Sequence, residues 1–196
     1  MRFVSGWHSR GYLPHFDDGV SLQCVTYRLS DALPSHVLAR LKDANHNDES
    51  GQSEIERYLD AGHGSCIFRE PRNAGIVVAN WHHFEPCFYH LHAWVVMPNH
   101  VHVLIEPNGR RSLSLIVQSW KSYTAKQMMP VGAPRRRLWQ PDYWDRFIRN
   151  RHHFLAVVAY IHHNPVRAGL CHKPQDWLWS SAYCPATAEP PTEPKP

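Results

Sequence analysis

Within the run MPNHVHVLI, residues 97–105, His100 and His102 stand two positions apart. On a β-strand, residues i and i+2 point the same way, so both imidazoles would face one side. Val101 and Val103 would then face the core. Two imidazoles on one side suit a single divalent cation, with a third ligand from elsewhere and positions left for water or substrate. The other reading is two ordinary hydrogen-bonded histidines. The chain holds 16 histidines, and the pairs His82-His83, His152-His153 and His162-His163 show how freely it uses them.

A second constellation lies in YIHHNPVRAGL, residues 160–170. Tyr160 and Asn164 are four apart, which places them on one helix face. The residue before a proline is disfavoured in the helical region, so the helix is expected to end at Asn164, before Pro165. The Asn164 amide oxygen is a hard ligand. A tyrosine beside a divalent cation can attack a phosphodiester as its phenolate. The alternative is a tyrosine packed on a sheet and an asparagine at a helix end.

These residues need elements to hold them. VSLQCVTYRL (20–29) alternates and is β-rich, so it reads as a strand. DALPSHVLARLKDA (31–44) reads as a helix entered through Pro34, and SEIERYLDAGHG (53–64) as a second, stopped by glycine. EPRNAGIVVANWHHF (70–84) is a third, with Ala74, Val77, Val78 and Trp81 at helical spacing. CFYHLHAWVVM and VHVLIEP are strand-like, and PNH between them predicts a hairpin. SLSLIVQSWKSYTAKQMM (112–129) is amphipathic, with Leu113, Ile116, Val117 and Trp120 on one stripe. LWQPDYWDRFI (138–148) reads as extended. NRHHFLAVVAYIHHN (150–164) is the last helix, burying Phe154, Val157, Val158 and Ile161. Helices between strands that pair as hairpins, with no Gly-rich β–α turn, predict an α+β fold of helices on an antiparallel sheet.

The chain of 196 residues suits one domain with a real core. Its five cysteines are scattered, with no C-x-x-C pair, which predicts small buried thiols in a reducing compartment rather than a disulfide framework or thiolate zinc site. No run is long enough to cross a membrane and the N-terminal stretch lacks a signal-peptide core, so a cytoplasmic location is expected. The formal charge is +4 but unevenly spread. Between Asn108 and Arg151 ten basic residues face only Asp142 and Asp145, a surplus of eight. Trp120, Tyr123, Trp139, Tyr143, Trp144 and Phe147 are interleaved with them. Arginine mixed with aromatic rings suits a polyanion with stackable bases; a solvated basic face is the other reading.

The motifs RGYLPHFD, AWVVMPNHVHVLIEP, SWKSYTAK, DRFIR and YIHHNPVRAGL…DWLWSSA together closely resemble the REP-associated tyrosine transposases. These are a domesticated branch of the single-tyrosine HUH (His-hydrophobic-His) transposases. The resemblance covers roughly residues 7–183. It implies a ferredoxin-like α+β domain with the HUH strand in the centre of the sheet. It implies Mg2+ or Mn2+ held by His100, His102 and Asn164, with Tyr160 as the nucleophile on single-stranded DNA. The product would be a 5′-phosphotyrosine link and a free 3′-hydroxyl that can later attack that link. The substrate would be a hairpin of the repetitive extragenic palindrome (REP) type. Tyr123 and Gln127 also form a Y-x-x-x-Q pair, but within SWKSYTAK, which the family carries in addition to its catalytic helix.

The expected organisation is an N-terminal DNA-recognition arm (1–19), the transposase domain (20–183) and a Pro-rich disordered tail (184–196). Lys121, Arg135, Arg136, Arg137, Arg146 and Arg149 are the candidate phosphate contacts. Trp7, Arg10, Tyr12 and His15 of the arm could stack on and hydrogen-bond unpaired bases; a lid over the sheet is the alternative role. Trp177 and Trp179 are expected to be core anchors. The expected location is nucleoid-associated and the expected assembly a monomer or homodimer. The competing functional reading is a regulatory hairpin-binding protein without cleavage activity.

Overall fold

The computed structural model describes residues 6–9, 14–37, 49–129 and 137–185. Strand β3 (Gln23–Arg28) lies centrally. It is followed by helix α1 (Glu49–Asp60) and helix α2 (Pro71–His83). Strands β4 (Tyr89–Val96) and β5 (His100–Pro107) form the expected hairpin. Helix α3 (Leu113–Met128), strand β6 (Trp144–Phe147) and helix α4 (Arg151–Arg167) complete the domain. The sheet order is β4-β5-β3-β6, all antiparallel. This is the ferredoxin-like arrangement that the motifs implied.

The two faces of the sheet carry different layers. Val101, Val103 and Ile105 of β5 join Val25 and Tyr27 of β3 in one core with Val77 and Trp81 of α2 and Ile116, Val117 and Trp120 of α3. The other face presents Cys24 and Leu104, with Val157 and Ile161 of α4 packed on them. Each such aliphatic side chain, fully buried, contributes roughly 1.5–3 kcal/mol. β4 serves both layers because its register shifts between Leu91 and Ala93. The extra residue flips the alternation. Tyr89 and Val96 therefore face the α2/α3 core, while Ala93 and Val95 meet α4.

Helix α4 does not stop where the proline predicts. It runs through Pro165 to Arg167. A proline this close to the C-terminus removes one N–H, and the terminal geometry compensates. Gly169, at φ +69°, donates to Val166 O at 3.0 Å, and Leu170 N donates to Pro165 O at 2.9 Å. Those two bonds are the Schellman pattern, and it requires a residue able to adopt a positive φ. Asn164 is thus inside the last turn, and Arg167 falls on the Tyr160 side, two turns further on.

Both edges of the sheet are covered. At β4, Ser181 N donates to Trp94 O and Val96 N to Trp179 O, and the Trp177 indole donates to Val96 O. Trp177 and Trp179 are half-buried against the cores, as anchors should be. At β6, a two-stranded ribbon of β1 (Gly6–Ser9) and β2 (Pro14–Asp17) packs alongside. Its fastening is His15, buried between Asp145 and Asp142. Trp7, Phe16 and Phe147 add a ring cluster, with centroids 4.8–6.1 Å apart.

Two expectations fall outside the described residues, the second half of the helix at 31–44 (38–44) and all but the first two residues of the tail. The cysteines are free as expected, but only Cys24 and Cys66 are buried; Cys87 and Cys184 are exposed.

Burial alone would lower the pKa of His15, but its bonds to Asp142 and Asp145 and their charges outweigh it and hold the pKa at about 9. A raised value in the folded state means that the stabilisation is complete below the ordinary 6.5 and is lost as pH rises through about 9. Replacing His15 with Gln is expected to cost on the order of 3 kcal/mol near neutral pH. The gap between the two proteins should narrow toward alkaline pH. Urea unfolding of both proteins across the range from about pH 6 to pH 10 measures it; a gap independent of pH would mean that the contact is not ionic.

Candidate functional site

Strand β5 sits between β3 and β4, so His100 and His102 emerge at the middle of the sheet on the α4 side. Both are fully buried, and their Nε2 atoms are 3.1 Å apart. Residues behind each ring decide which nitrogen carries the proton. The Gly62–Gly64 turn delivers the His63 carbonyl to Asn99 Nδ2 at 2.9 Å, which fixes that amide. Gly64 adopts φ +86°, and a Cβ there would strike the Asp31 backbone. Asn99 Oδ1 then accepts from His100 Nδ1 at 2.7 Å. An amide oxygen only accepts, so the proton is on Nδ1 and His100 Nε2 keeps its lone pair.

His102 is set by the same logic. Asn164 Nδ2, a donor, reaches His102 Nε2 at 3.2 Å. The proton of His102 is therefore on Nδ1, which donates to Thr26 Oγ1 of β3 at 2.7 Å. Burial lowers the His102 pKa to about 3, helped by the charge of Arg167. Burial also holds His100 well below its ordinary value, with His102, Arg167 and Arg28 acting in the same direction. Two neutral acceptors thus face each other with no proton between them.

Helix α4 closes the space. Asn150 caps its start, accepting from His153 N at 2.9 Å, and Val157 and Ile161 press it onto the sheet. Asn164 is fully buried, and its Oδ1 has no hydrogen-bond partner. The Tyr160 ring meets the His102 ring edge-on at 5.2 Å between centroids. Its hydroxyl is also buried, with the Glu56 carboxylate of α1 facing it but no hydrogen bond of normal geometry. Burial pushes the phenol well above the ordinary range, and the Glu56 carboxylate of α1 adds to this, while Arg167 opposes it. Arg167 lies over the Tyr160 ring at 5.0 Å.

Among the described residues, no three or more of His, Cys, Asp and Glu are gathered for a metal ion. The donor set here is of another kind, two neutral imidazole nitrogens and one orphaned amide oxygen. Such a mixed N/O set fits a hard divalent cation. Of these, Asn164 Oδ1 is the one buried acceptor without a partner, which is costly unless a positive group meets it.

Four sequence-derived candidates therefore converge: His100, His102, Tyr160 and Asn164. Tyr123 does not join them. It is exposed on α3, which packs on the opposite face of the sheet. The candidate DNA contacts divide. Trp7 and Arg149 are exposed and Arg137 is exposed at the loop before β6. Arg146 lies over Trp144 at 5.4 Å, on the sheet face shared with Thr26 and His102. His15 is engaged with its two carboxylates. Lys121 is engaged too, donating to the carbonyls of Gln140, Pro141 and Asp142. Arg10, Tyr12, Arg135 and Arg136 lie outside the described residues. Sequence reasoning missed Thr26, Asn99, Glu56 and Arg167. Only Asn99, adjacent to His100, had a signal in its position.

Residues 83–164 match the family model described as "Transposase IS200 like". That segment contains both imidazoles and ends on Asn164. The REP-associated tyrosine transposase of Escherichia coli K12 is 31% identical over 94 residues, covering 47% of this chain and 54% of that protein. A putative REP-associated tyrosine transposase of Haemophilus influenzae Rd is 24% identical over 104 residues, covering 48% and 59%. The chain thus spans little more than half the length of the curated relatives it matches. A solved structure of a REP-associated tyrosine transposase bound to a REP hairpin superposes with a TM-score of 0.53 at 20% identity, covering 85% of this chain and 79% of that one. The fold is shared, and the resemblance drawn from the motifs is borne out. Among the described residues, no helix is long and apolar enough to cross a membrane.

Because the Tyr160 hydroxyl makes no hydrogen bond of normal geometry, Tyr160→Phe is expected to leave stability within about 1 kcal/mol of the original or to raise it. Chemical denaturation tests this; a larger loss would show the hydroxyl engaged.

Proposed function

From this kinship with the REP-associated tyrosine transposases, we propose that the chain is a metal-dependent single-stranded DNA endonuclease and strand transferase acting on REP-type hairpins. The observation that carries the reading is the facing pair of unprotonated Nε2 atoms, with the orphaned Asn164 Oδ1 beside them and Tyr160 against His102. His100, His102 and Asn164 would hold Mg2+ or Mn2+. The bound cation would polarise the phosphodiester and favour the phenolate.

The chain's own residues supply the rest. Tyr160 Oη forms a bond to phosphorus and the P–O3′ bond breaks. The phenol proton passes overall to the leaving 3′-hydroxyl, and the 5′-phosphate stays on the tyrosine. Attack by a 3′-hydroxyl on that link reverses the step and joins strands with no external energy source. Thr26 and Asn99 keep both imidazoles in the metal-binding tautomer. Arg137, Arg146 and Arg149, with Arg135 and Arg136 of the same basic stretch, contact phosphates; Trp7, with Arg10 and Tyr12 of the arm, meets unpaired bases. His15 and Lys121 act at one remove, by fastening the ribbon and the loop that carry these contacts. The protein works in the cytoplasm at the nucleoid, as a monomer or a homodimer.

Burial of the Tyr160 hydroxyl favours a second reading, a hairpin binder that does not cut. One experiment separates the two. The protein is incubated with single-stranded REP hairpins and Mn2+, and denaturing gels are read for a protein–DNA adduct. An adduct is expected that is absent with EDTA, lost in Tyr160→Phe and kept in Tyr123→Phe. Binding without adduct in any metal establishes the second reading. Asn99→Leu is expected to weaken Mn2+ binding roughly ten- to hundredfold, because it frees the His100 tautomer.

A further inference from the structure

The proposed nucleophile is buried, and the cation nearest to it is occupied by acids of another helix. Arg167 Nη2 lies 3.0 Å from Asp60 Oδ2 and 3.8 Å from Glu56 Oε2, both on α1. The same guanidinium covers the Tyr160 ring at 5.0 Å. Its side chain is 44% exposed, whereas those of Glu56 and Asp60 are 19% and 18% exposed. Arg167 therefore has one side toward solvent and one against the tyrosine.

Three further features bear on its role. Helix α4 continues through Pro165, so Arg167 is seven residues from Tyr160 and on the same helix face. The described side chains of α1 include Glu54, Glu56 and Asp60 against one base, Arg57. An acidic helix over a site built for a polyanion is in the position of a competitor. The Tyr160 hydroxyl lies beside Glu56 under this cover without a hydrogen bond of normal geometry, so the covered arrangement satisfies it poorly.

We propose that Arg167 is the phosphate-binding residue of the Tyr160 site and that Glu56 and Asp60 of α1 hold its guanidinium in place of the DNA phosphate. A guanidinium fork matches a phosphate as well as it matches carboxylates. When a strand enters, the phosphate beside the scissile bond takes over the Arg167 donors. Glu56 and Asp60 are released, α1 moves off, and Tyr160 is uncovered. This rests on the endonuclease reading for the role of Tyr160, but its first step is binding alone.

The test is binding of a fluorescent REP hairpin with a single-stranded flank, measured by anisotropy in EDTA over a range of salt concentrations. Cleavage is absent under these conditions. Arg167→Ala is expected to bind several-fold more weakly, with a slope of log K against log salt shallower by roughly 0.7, the value for one phosphate contact on a single strand. Arg167→Lys should restore the slope. The double variant Glu56→Gln, Asp60→Asn should bind several-fold more tightly than the original, a gain that loss of a merely structural ion pair would not give. An unchanged slope in Arg167→Ala, or no gain in the double variant, overturns the inference while leaving the endonuclease reading intact. Failure of the original protein to bind the hairpin at all overturns both.

Discussion

Two lone pairs aimed at each other inside a protein are a liability unless something positive comes between them. The Nε2 atoms of His100 and His102 are in that position at 3.1 Å. Protonation would relieve the clash, but burial opposes the charged form of each ring. A change of tautomer would relieve it too, but Asn99 and Asn164 oppose that from either side. In the proposed reading, a bound cation between the rings resolves it. The surrounding fold is organised to keep the two rings in this conflict: β3 supplies Thr26, the glycine turn after α1 supplies the His63 carbonyl, and α4 supplies Asn164 and Tyr160.

That organisation explains the division of labour across the sheet. The Val101/Val103 face, under α2 and α3, is filled by large side chains such as Trp81 and Trp120, joined through the hydroxyls of Tyr27 and Tyr89. The opposite face carries a smaller core under α4, centred on β4 and β5 and reaching Cys24 of β3, with contact between α4 and the first two strands. Over β3 and β6 the same face presents Thr26, Trp144 and Arg146. A strand laid along that half of the sheet would pass arginine and tryptophan on its way to Tyr160. The stabilising layer and the chemical layer are thus separated by one sheet thickness, and β5 serves both through simple alternation.

Much of this was legible in the residues. The alternation of β5 alone assigns His100 and His102 to one face and the valines to the other. The apolar spacing of α2, α3 and α4 gave their buried sides. What failed was local. Pro165 predicts a terminus because the residue before a proline disfavours the helical region; the Gly169 and Leu170 bonds that carry the helix past it belong to the turn that follows. The shift between Leu91 and Ala93 has no marker in YHLHAWVV, since a bulge is set by pairing with β5. His15 and Lys121 looked like nucleic-acid contacts by type, yet their partners are Asp142 and Asp145 for one and three loop carbonyls for the other. Glu56 and Arg167 are 111 positions apart, and nothing in either stretch announces that they meet.

His100, His102 and Asn164 are proposed to form one cation site. Isothermal titration of Mn2+ into the DNA-free protein tests it most directly, with His102→Ala and Asn164→Ala alongside. A single binding event is expected in the original protein, lost in His102→Ala and strongly weakened in Asn164→Ala, with all three proteins folded by circular dichroism. Binding that survives His102→Ala, or no binding by the original protein at millimolar Mn2+, would contradict it.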